Sequence, residues 1–113
     1  MAYSNQAVLK GDQQVYQLSP NIKRYTLRDV GFIESKGGKF QLERSLDPTS
    51  PFNKGIKFKM AIEPDMKKFK MVVTAPNGLK EVDVFTAPNA QEHLEQLNYL
   101  LDLLIEREVL VKC

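Results

Sequence analysis

Residues 56–62 have the sequence Ile-Lys-Phe-Lys-Met-Ala-Ile, in which large apolar side chains recur at every second position. Because successive side chains of a β-strand point to opposite faces, the large apolar residues share one face and the two lysines share the other. Pro64 ends the strand, since proline has no N–H to donate to a sheet. The stretch predicts a strand with one buried and one solvated face. The apolar set is Ile56, Phe58, Met60 and Ile62.

Short period-two segments surround this strand in pairs, and turn residues separate the members of each pair. Asn77-Gly78 is a strong hairpin signal, because both residues tolerate positive φ. Gly11-Asp12 and Gly37-Gly38 mark two further turns. The pattern predicts an antiparallel meander. The paired segments are 7–10 with 14–18, 32–35 with 40–44, and 69–74 with 79–85.

Two stretches lack a regular spacing of apolar residues. Residues 19–30 fit a helical turn and a strand equally well, and we expect an irregular segment with a turn there. The Asp-Pro-Thr-Ser-Pro sequence at 47–51 predicts a loop.

The period becomes helical after Asn89, with apolar residues spaced three and four apart. Asn89 and Glu92 resemble a capping box, which predicts a helix over residues 90–107. Leu100 and Leu103 widen the apolar stripe, so we expect this helix to be buried on more than one side. The stripe itself consists of Leu94, Leu97, Leu101, Leu104 and Ile105.

Strands followed by one long helix predict an α+β class: an antiparallel meander or hairpin sheet, or sheets, packed on the C-terminal helix. Residues 109–111 predict a last short strand or a docked tail. We expect residues 1–113 to form a single domain, as is usual for a chain of 113 residues. The helix stripe should pack against the inward-facing residues of the strands. These are Phe58, Met60, Ile62, Met71 and Val84.

Composition favours a soluble cytoplasmic protein. Hydrophobic residues make up 42% and charged residues 27% of the chain, close to globular averages. We expect no membrane span, because no run approaches the ~20 apolar residues that one requires. The N-terminal residues resemble no signal peptide. The single cysteine, Cys113, excludes an internal disulfide and a cysteine-based zinc site.

Charge is distributed unevenly along the chain. Residues 1–85 carry fourteen Lys and Arg against nine Asp and Glu, whereas residues 86–113 carry two against five. A basic body can bind an anionic partner, but attraction between the two parts of one fold is the simpler explanation of the pattern. The excess is well below that of nucleic-acid-binding domains.

The sequence contains no recognisable catalytic motif. His93 is the one histidine, and neither a nucleophile elbow nor a phosphate-binding glycine loop accompanies it. We expect His93 to be exposed and non-catalytic. The carboxylates are scattered singly, which argues against a metal site. Cys113 lacks the cationic surroundings that a reactive thiol requires. We therefore expect no catalytic residues, metal or cofactor.

Lysines and phenylalanines interleave in the central strands. This pattern can bind single-stranded nucleic acid when both residue types share a face. Period two separates them here, so a solvated lysine face that opposes aggregation is the simpler interpretation. The residues are Lys57, Lys59, Lys67, Lys68 and Lys70, with Phe58 and Phe69 between them.

Three of the four arginines, Arg24, Arg28 and Arg44, lie within 21 residues of one another in the sequence. The planar guanidinium suits bidentate recognition of a carboxylate or phosphate. We expect these three arginines to converge and at least one of them to line an anion-binding pocket. The alternative is an internal network of ion pairs. Its acidic partners would be Asp29, Glu43 and Asp47.

The segments that carry these arginines also carry a family resemblance. Residues 24–32, RYTLRDVGF, and residues 40–48, FQLERSLDP, resemble the signature blocks of a small uncharacterised bacterial family labelled "putative amino-acid metabolism". The resemblance spans nearly the whole chain. It implies a stand-alone cytoplasmic α+β domain with a sheet around one long helix, and it supplies no catalytic residues.

Together these features favour a small binding or accessory protein linked to amino-acid metabolism, with a carboxylate or phosphate metabolite as its ligand. A module that binds RNA or another polyanion through the lysine face is one alternative. An enzyme subunit that needs a protein partner is another. The sequence leaves the oligomeric state open.

Because the strand period separates the aromatic residues from the lysines, we predict that the protein does not bind single-stranded RNA tightly. A fluorescence titration with a labelled oligonucleotide at ~150 mM salt should show no more than weak non-specific binding. A Kd below about 1 μM under these conditions would contradict the assignment of faces.

Overall fold

The computed structural model describes residues 3–46, 56–75, 80–85 and 91–113 of the chain. Their secondary structure consists of short strands, one short helix and one long helix. In chain order the elements are β1 (Gln6–Ala7), β2 (Tyr16–Leu18), α1 (Arg24–Val30), β3 (Ile33–Glu34), β4 (Phe40–Ser45), β5 (Lys57–Ile62), β6 (Phe69–Thr74), α2 (Gln91–Glu106) and β7 (Leu110–Lys112).

The larger sheet has the order β3-β4-β5-β6, with every neighbouring pair antiparallel. Its central strand is the one that the alternating sequence predicts. Phe58 and Ile62 are completely buried on the core face, whereas Lys57 and Lys59 lie half-buried on the opposite face. The predicted meander and its two faces are therefore confirmed.

The smaller sheet has the order β1-β2-β7 and unites the two ends of the chain. A turn that contains Gly11, at φ 87°, joins the predicted N-terminal hairpin. Just before β1, Ser4 exchanges two backbone hydrogen bonds of 2.9 Å with Phe69 of β6. The N-terminal segment thereby connects the smaller sheet to the larger one.

The long helix α2 lies within one residue of its predicted limits. Leu97, Leu100, Leu101 and Leu104 are buried in it, and they belong to the same hydrophobic cluster as the core face of β5. After α2, β7 pairs with β2, which confirms the predicted last strand. The α+β class is thus confirmed, while the proposed cap residue Asn89 lies outside the described residues.

The expectation of an irregular segment over residues 19–30 is wrong, because its second half forms the helix α1. Gly31 ends this helix in a left-handed conformation, and its N–H donates to the carbonyls of Leu27 and Arg28. The N–H of Phe32 also donates to Leu27, at 2.9 Å. This is a Schellman-type stop, for which glycine is the favoured residue. Leu27 and Val30, spaced three apart, anchor α1 in the core.

The predicted strand over residues 79–85 is also wrong in extent for the residues described. Glu81 forms an isolated bridge with Thr74, and the N–H of Val82 donates to Val73. The chain then turns, because the Asp83 carboxylate accepts a hydrogen bond from the N–H of Phe85. The predicted Asn77-Gly78 turn and the loop at 47–51 lie outside the described residues.

Neither helix in the described part of the chain has the length and apolar character needed to cross a membrane.

Replacing Leu101 by alanine should lower the free energy of unfolding by ~2–5 kcal/mol, because the side chain is 2% exposed and its loss leaves a cavity. Chemical denaturation measures this change. Asn98→Ala, at an exposed position of the same helix, is the matched control and should change stability by less than ~0.5 kcal/mol. Equal stability of the two variants would show that α2 does not pack as described.

Candidate functional site

The candidate site lies on the face of the larger sheet that points away from the core. Directly opposed residues on neighbouring strands share a face, so the strand register arranges the outer side chains in rows. These rows are Gln41-Ala61-Lys70, Glu43-Lys59-Val72 and Ser45-Lys57-Thr74. A groove of about 830 Å³ runs across this face, from Gly31 and Arg44 at one side to Glu81 at the other.

Acidic side chains interrupt the lysine face. The Glu43 carboxylate lies 3.3 Å from Nζ of Lys57 and 3.9 Å from Nζ of Lys59, so it offsets both charges. Lys67 and Lys68 lie in the connection between β5 and β6 and not on the strands. The outer face therefore carries a mixed charge pattern instead of a continuous basic stripe.

Aromatic residues contribute little stacking surface to this face. Phe58 and Phe69 are completely buried on the core side of the sheet. Tyr3 lies among lysines, with Nζ of Lys70 4.7 Å and Nζ of Lys39 5.1 Å from its ring centre. Sequence reasoning missed this cluster, because its three members come from separate segments. A single half-buried tyrosine is not the series of stacking rings that single-stranded nucleic acid uses.

Arg24 and Arg28 lie one turn apart on α1 and contact the same carboxylate, that of Glu34. The Nη2 atom of Arg28 lies 2.5 Å from Oε1 of Glu34, and Nη1 of Arg24 lies 3.9 Å from Oε2. Arg24 also donates to the Pro64 carbonyl at 3.1 Å. The structure thus brings these two arginines together, but with an acidic partner between them.

The acidic partners differ from those that the network alternative names. Asp29 lies 3.8 Å from Nη2 of Arg107, and Glu43 contacts the lysines of β5. Asp47 lies outside the described residues.

Arg44 lies apart from the other two arginines. Its register partner is Phe58, so its side chain leaves β4 on the core side of the sheet, and its guanidinium packs against Gly31, which lines the groove beside it. Its Nη2 donates to the carbonyl of Val30, at the C-terminal end of α1, over 2.6 Å. The Val30 carbonyl is one of the groups that a helix leaves unsatisfied, and its partial negative charge suits a cation. Arg44 forms no ion pair with a carboxylate among the described residues. Further guanidinium N–H groups therefore remain for an anion.

Gly31 permits this position of Arg44. Its φ of 119° favours glycine, and a Cβ atom built there would lie only 2.3 Å from Nη2 of Arg44. Sequence analysis did not connect the two residues, since the contact depends on where α1 ends against β4.

The other titratable groups among the described residues form no second site. His93 is half-buried, not exposed as expected. Cys113 is exposed and unbridged, and the Gln6 amide lies 3.7 Å from its sulfur. Burial raises the pKa of the Tyr16 phenol, with smaller contributions from Asp12 and Asp102. Among the described residues no three His, Cys, Asp or Glu side chains are grouped to hold a metal ion.

Comparison with known proteins identifies the family. The chain matches the DUF1831 family, described as "Putative amino acid metabolism", over residues 1–111. It belongs to this family. The family resemblance expected from the two arginine-bearing segments is therefore confirmed.

The fold of this DUF1831 member is similar to a crystal structure of a DUF1831 family protein from Lactobacillus plantarum. The TM-score is 0.92 at 42% sequence identity, and the match covers 100% of this chain and 99% of that one. Among curated proteins, none matches the chain.

Replacing Gly31 by alanine should destabilise the protein by ~1–3 kcal/mol, because the residue must then hold a positive φ and Arg44 must move. Thermal unfolding measures the loss. Gly37→Ala is the control, since a Cβ atom there meets nothing within 4 Å. If both variants melt with the wild type, Arg44 does not pack against Gly31 as described.

Proposed function

We propose that this DUF1831 protein is a small cytoplasmic binding or accessory protein of amino-acid metabolism, and that it binds a carboxylate-bearing metabolite in the outer groove. The observation that carries the proposal is Arg44, which borders the groove without a carboxylate partner among the described residues. Amino acids and their 2-oxo relatives all carry a carboxylate, and arginine is its usual bidentate partner in proteins.

The three arginines differ in their suitability for this role. Glu34 already compensates Arg24 and Arg28, so a ligand carboxylate would have to displace it or be repelled by it. Arg44 bonds instead to a neutral carbonyl, which positions its guanidinium without cancelling its charge. The proposal therefore assigns carboxylate binding to Arg44 alone.

The groove supports a small-molecule ligand in size and composition. Its volume of about 830 Å³ lies within the range of ~300–1,000 Å³ typical of ligand pockets. Ile33, Ala61 and Val72 contribute apolar lining, while Lys70 adds positive charge. Apolar lining with a few polar groups is the usual composition of such sites.

The experiment is a thermal-shift screen of the standard amino acids and their 2-oxo acids at millimolar concentration. A ligand present at ~100 times its Kd stabilises the folded state by about 2.7 kcal/mol, which raises Tm by several degrees. We expect at least one carboxylate to give such a shift. Inorganic phosphate in the same screen tests whether the site accepts any compact anion.

Arg44→Met should fold and lose at least ~10-fold in affinity for the stabilising carboxylate, since a hydrogen bond to a charged group contributes ~1.5–3 kcal/mol. Arg28→Met removes an equal charge outside the groove and should bind like the wild type. Calorimetric titration measures both affinities. The proposal fails if no carboxylate stabilises the protein, or if Arg44→Met binds as tightly as Arg28→Met.

A further inference from the structure

Tyr3 brings together two lysines that come from different strands of the larger sheet. Nζ of Lys70, on β6, lies 4.7 Å from the centre of the ring, and Nζ of Lys39, directly before β4, lies 5.1 Å from it. The two ammonium groups are therefore no more than about 10 Å apart. Lys70 opposes Ala61 on the outer face, and Lys39 precedes Gln41 of that face by two residues, so both lysines leave the sheet on the outer side. We call Tyr3, Lys39 and Lys70 the Tyr3 cluster.

Backbone hydrogen bonds position each member of the Tyr3 cluster. Tyr3 is adjacent to Ser4, which is hydrogen-bonded to β6, the strand that contains Lys70. The N–H of Lys39 donates to Oγ of Ser35 at 3.2 Å, and its carbonyl accepts from the N–H of Ser35 at 2.8 Å. The three side chains therefore start from fixed points, although they come from separate parts of the chain.

The lysines of the Tyr3 cluster differ from the other lysines of the outer face in their charge partners. Lys57 and Lys59 share the carboxylate of Glu43. Lys39 and Lys70 form no ion pair with a carboxylate among the described residues. Their positive charges are thus available to an anion from solution.

The ring gathers these charges without neutralising them. An aromatic face attracts an ammonium group through its quadrupole, but it carries no net charge. Glu63, the acidic residue directly after β5, forms no ion pair with a lysine or arginine of the described residues. Lys39 is exposed and Lys70 is half-buried, so solvent reaches the cluster.

Two adjacent ammonium groups complement a dianion with several acceptor oxygens. A phosphate monoester has a charge of about −1.5 to −2 at pH 7 and three strong acceptor oxygens. Lysine binds phosphate as a point charge, and its flexible four-carbon stem lets both ammonium groups close onto one phosphate group. A phosphodiester carries a single negative charge and matches the pair less well.

We infer that the Tyr3 cluster binds the phosphate group of a phosphate monoester, with Lys39 and Lys70 as the charged ligands and the Tyr3 ring holding them together. This site uses Tyr3 and Lys39, which play no part in the carboxylate site proposed above. The two sites therefore stand or fail independently.

The test compares methyl phosphate with dimethyl phosphate, which differ by one methyl group and one negative charge. An NMR titration of the ¹⁵N-labelled protein at low ionic strength and neutral pH should show saturable shifts of the Lys39 and Lys70 amides with methyl phosphate. Binding should be at least ~3-fold tighter than that of dimethyl phosphate, the effect of one partly solvated charge pair.

Three lysine variants locate the site. Lys39→Met and Lys70→Met should each weaken the binding of methyl phosphate by at least ~3-fold. Lys112→Met removes an equal charge from an exposed position on β7, at the edge of the smaller sheet remote from β1, and should bind like the wild type.

Two further variants test the ring. Tyr3→Phe keeps the aromatic face and should bind like the wild type, whereas Tyr3→Leu should bind more weakly, because its lysines are no longer held together. Equal affinities of these two variants would show that the ring does not organise the lysines and would overturn the inference.

Equal binding of the two phosphates, or binding that survives both Lys39→Met and Lys70→Met, also overturns the phosphate site. Methyl phosphate that binds but is lost only in Arg44→Met would belong to the carboxylate site and would overturn the assignment to the Tyr3 cluster. Loss of binding in the two lysine variants, with Arg44→Met and Lys112→Met unchanged, supports the inference whether or not any carboxylate binds.

Discussion

The structure depends on β5, a strand that is paired along both edges and buried on one face. All six of its residues pair with β4 on one side and with β6 on the other, so the strand cannot shift without breaking two ladders. A shift of one residue would expose Phe58 and bury Lys57 and Lys59, which is energetically prohibitive. The alternation in this segment therefore determines both the core and the charged face on which the groove lies.

The distribution of charge partners follows from that constraint. The lysines of β5 lie outside the core, where they form ion pairs with Glu43. The arginines of α1 form ion pairs with Glu34. Arg44 lies at the end of β4, beyond the short β3, where its nearest partner is the carbonyl end of α1. The candidate site thus lies where the sheet meets a helix terminus. The surrounding acidic side chains either form ion pairs with other cations or lie on the far side of the outer face.

Periodic segments could be predicted from the sequence, and contacts between segments could not. The strand period of residues 56–62 and the leucine spacing of α2 each report burial of one continuous face, so both were predictable. The helix α1 has one turn of buried residues, Leu27 and Val30, and depends on the Gly31 stop, which is too short a signal for periodicity. For the site, arginine chemistry indicated Arg44, but its isolation from carboxylates is a property of tertiary packing. Thr74 and Glu81 are opposed in an isolated β-bridge that no sequence pattern predicts.

The most direct test of the account is an NMR titration of the ¹⁵N-labelled protein with hexanoate, with hexylamine as the control that lacks the carboxylate. The account predicts that the signals that move belong to the outer face: the Arg44 side-chain Nε–H, and the backbone amides of Gly31, Ala61, Val72 and Thr74. Signals along the exposed side of α2, around Tyr99, should stay fixed. Saturable shifts confined to α2 or the smaller sheet, with Arg44 unchanged, would contradict the central claim.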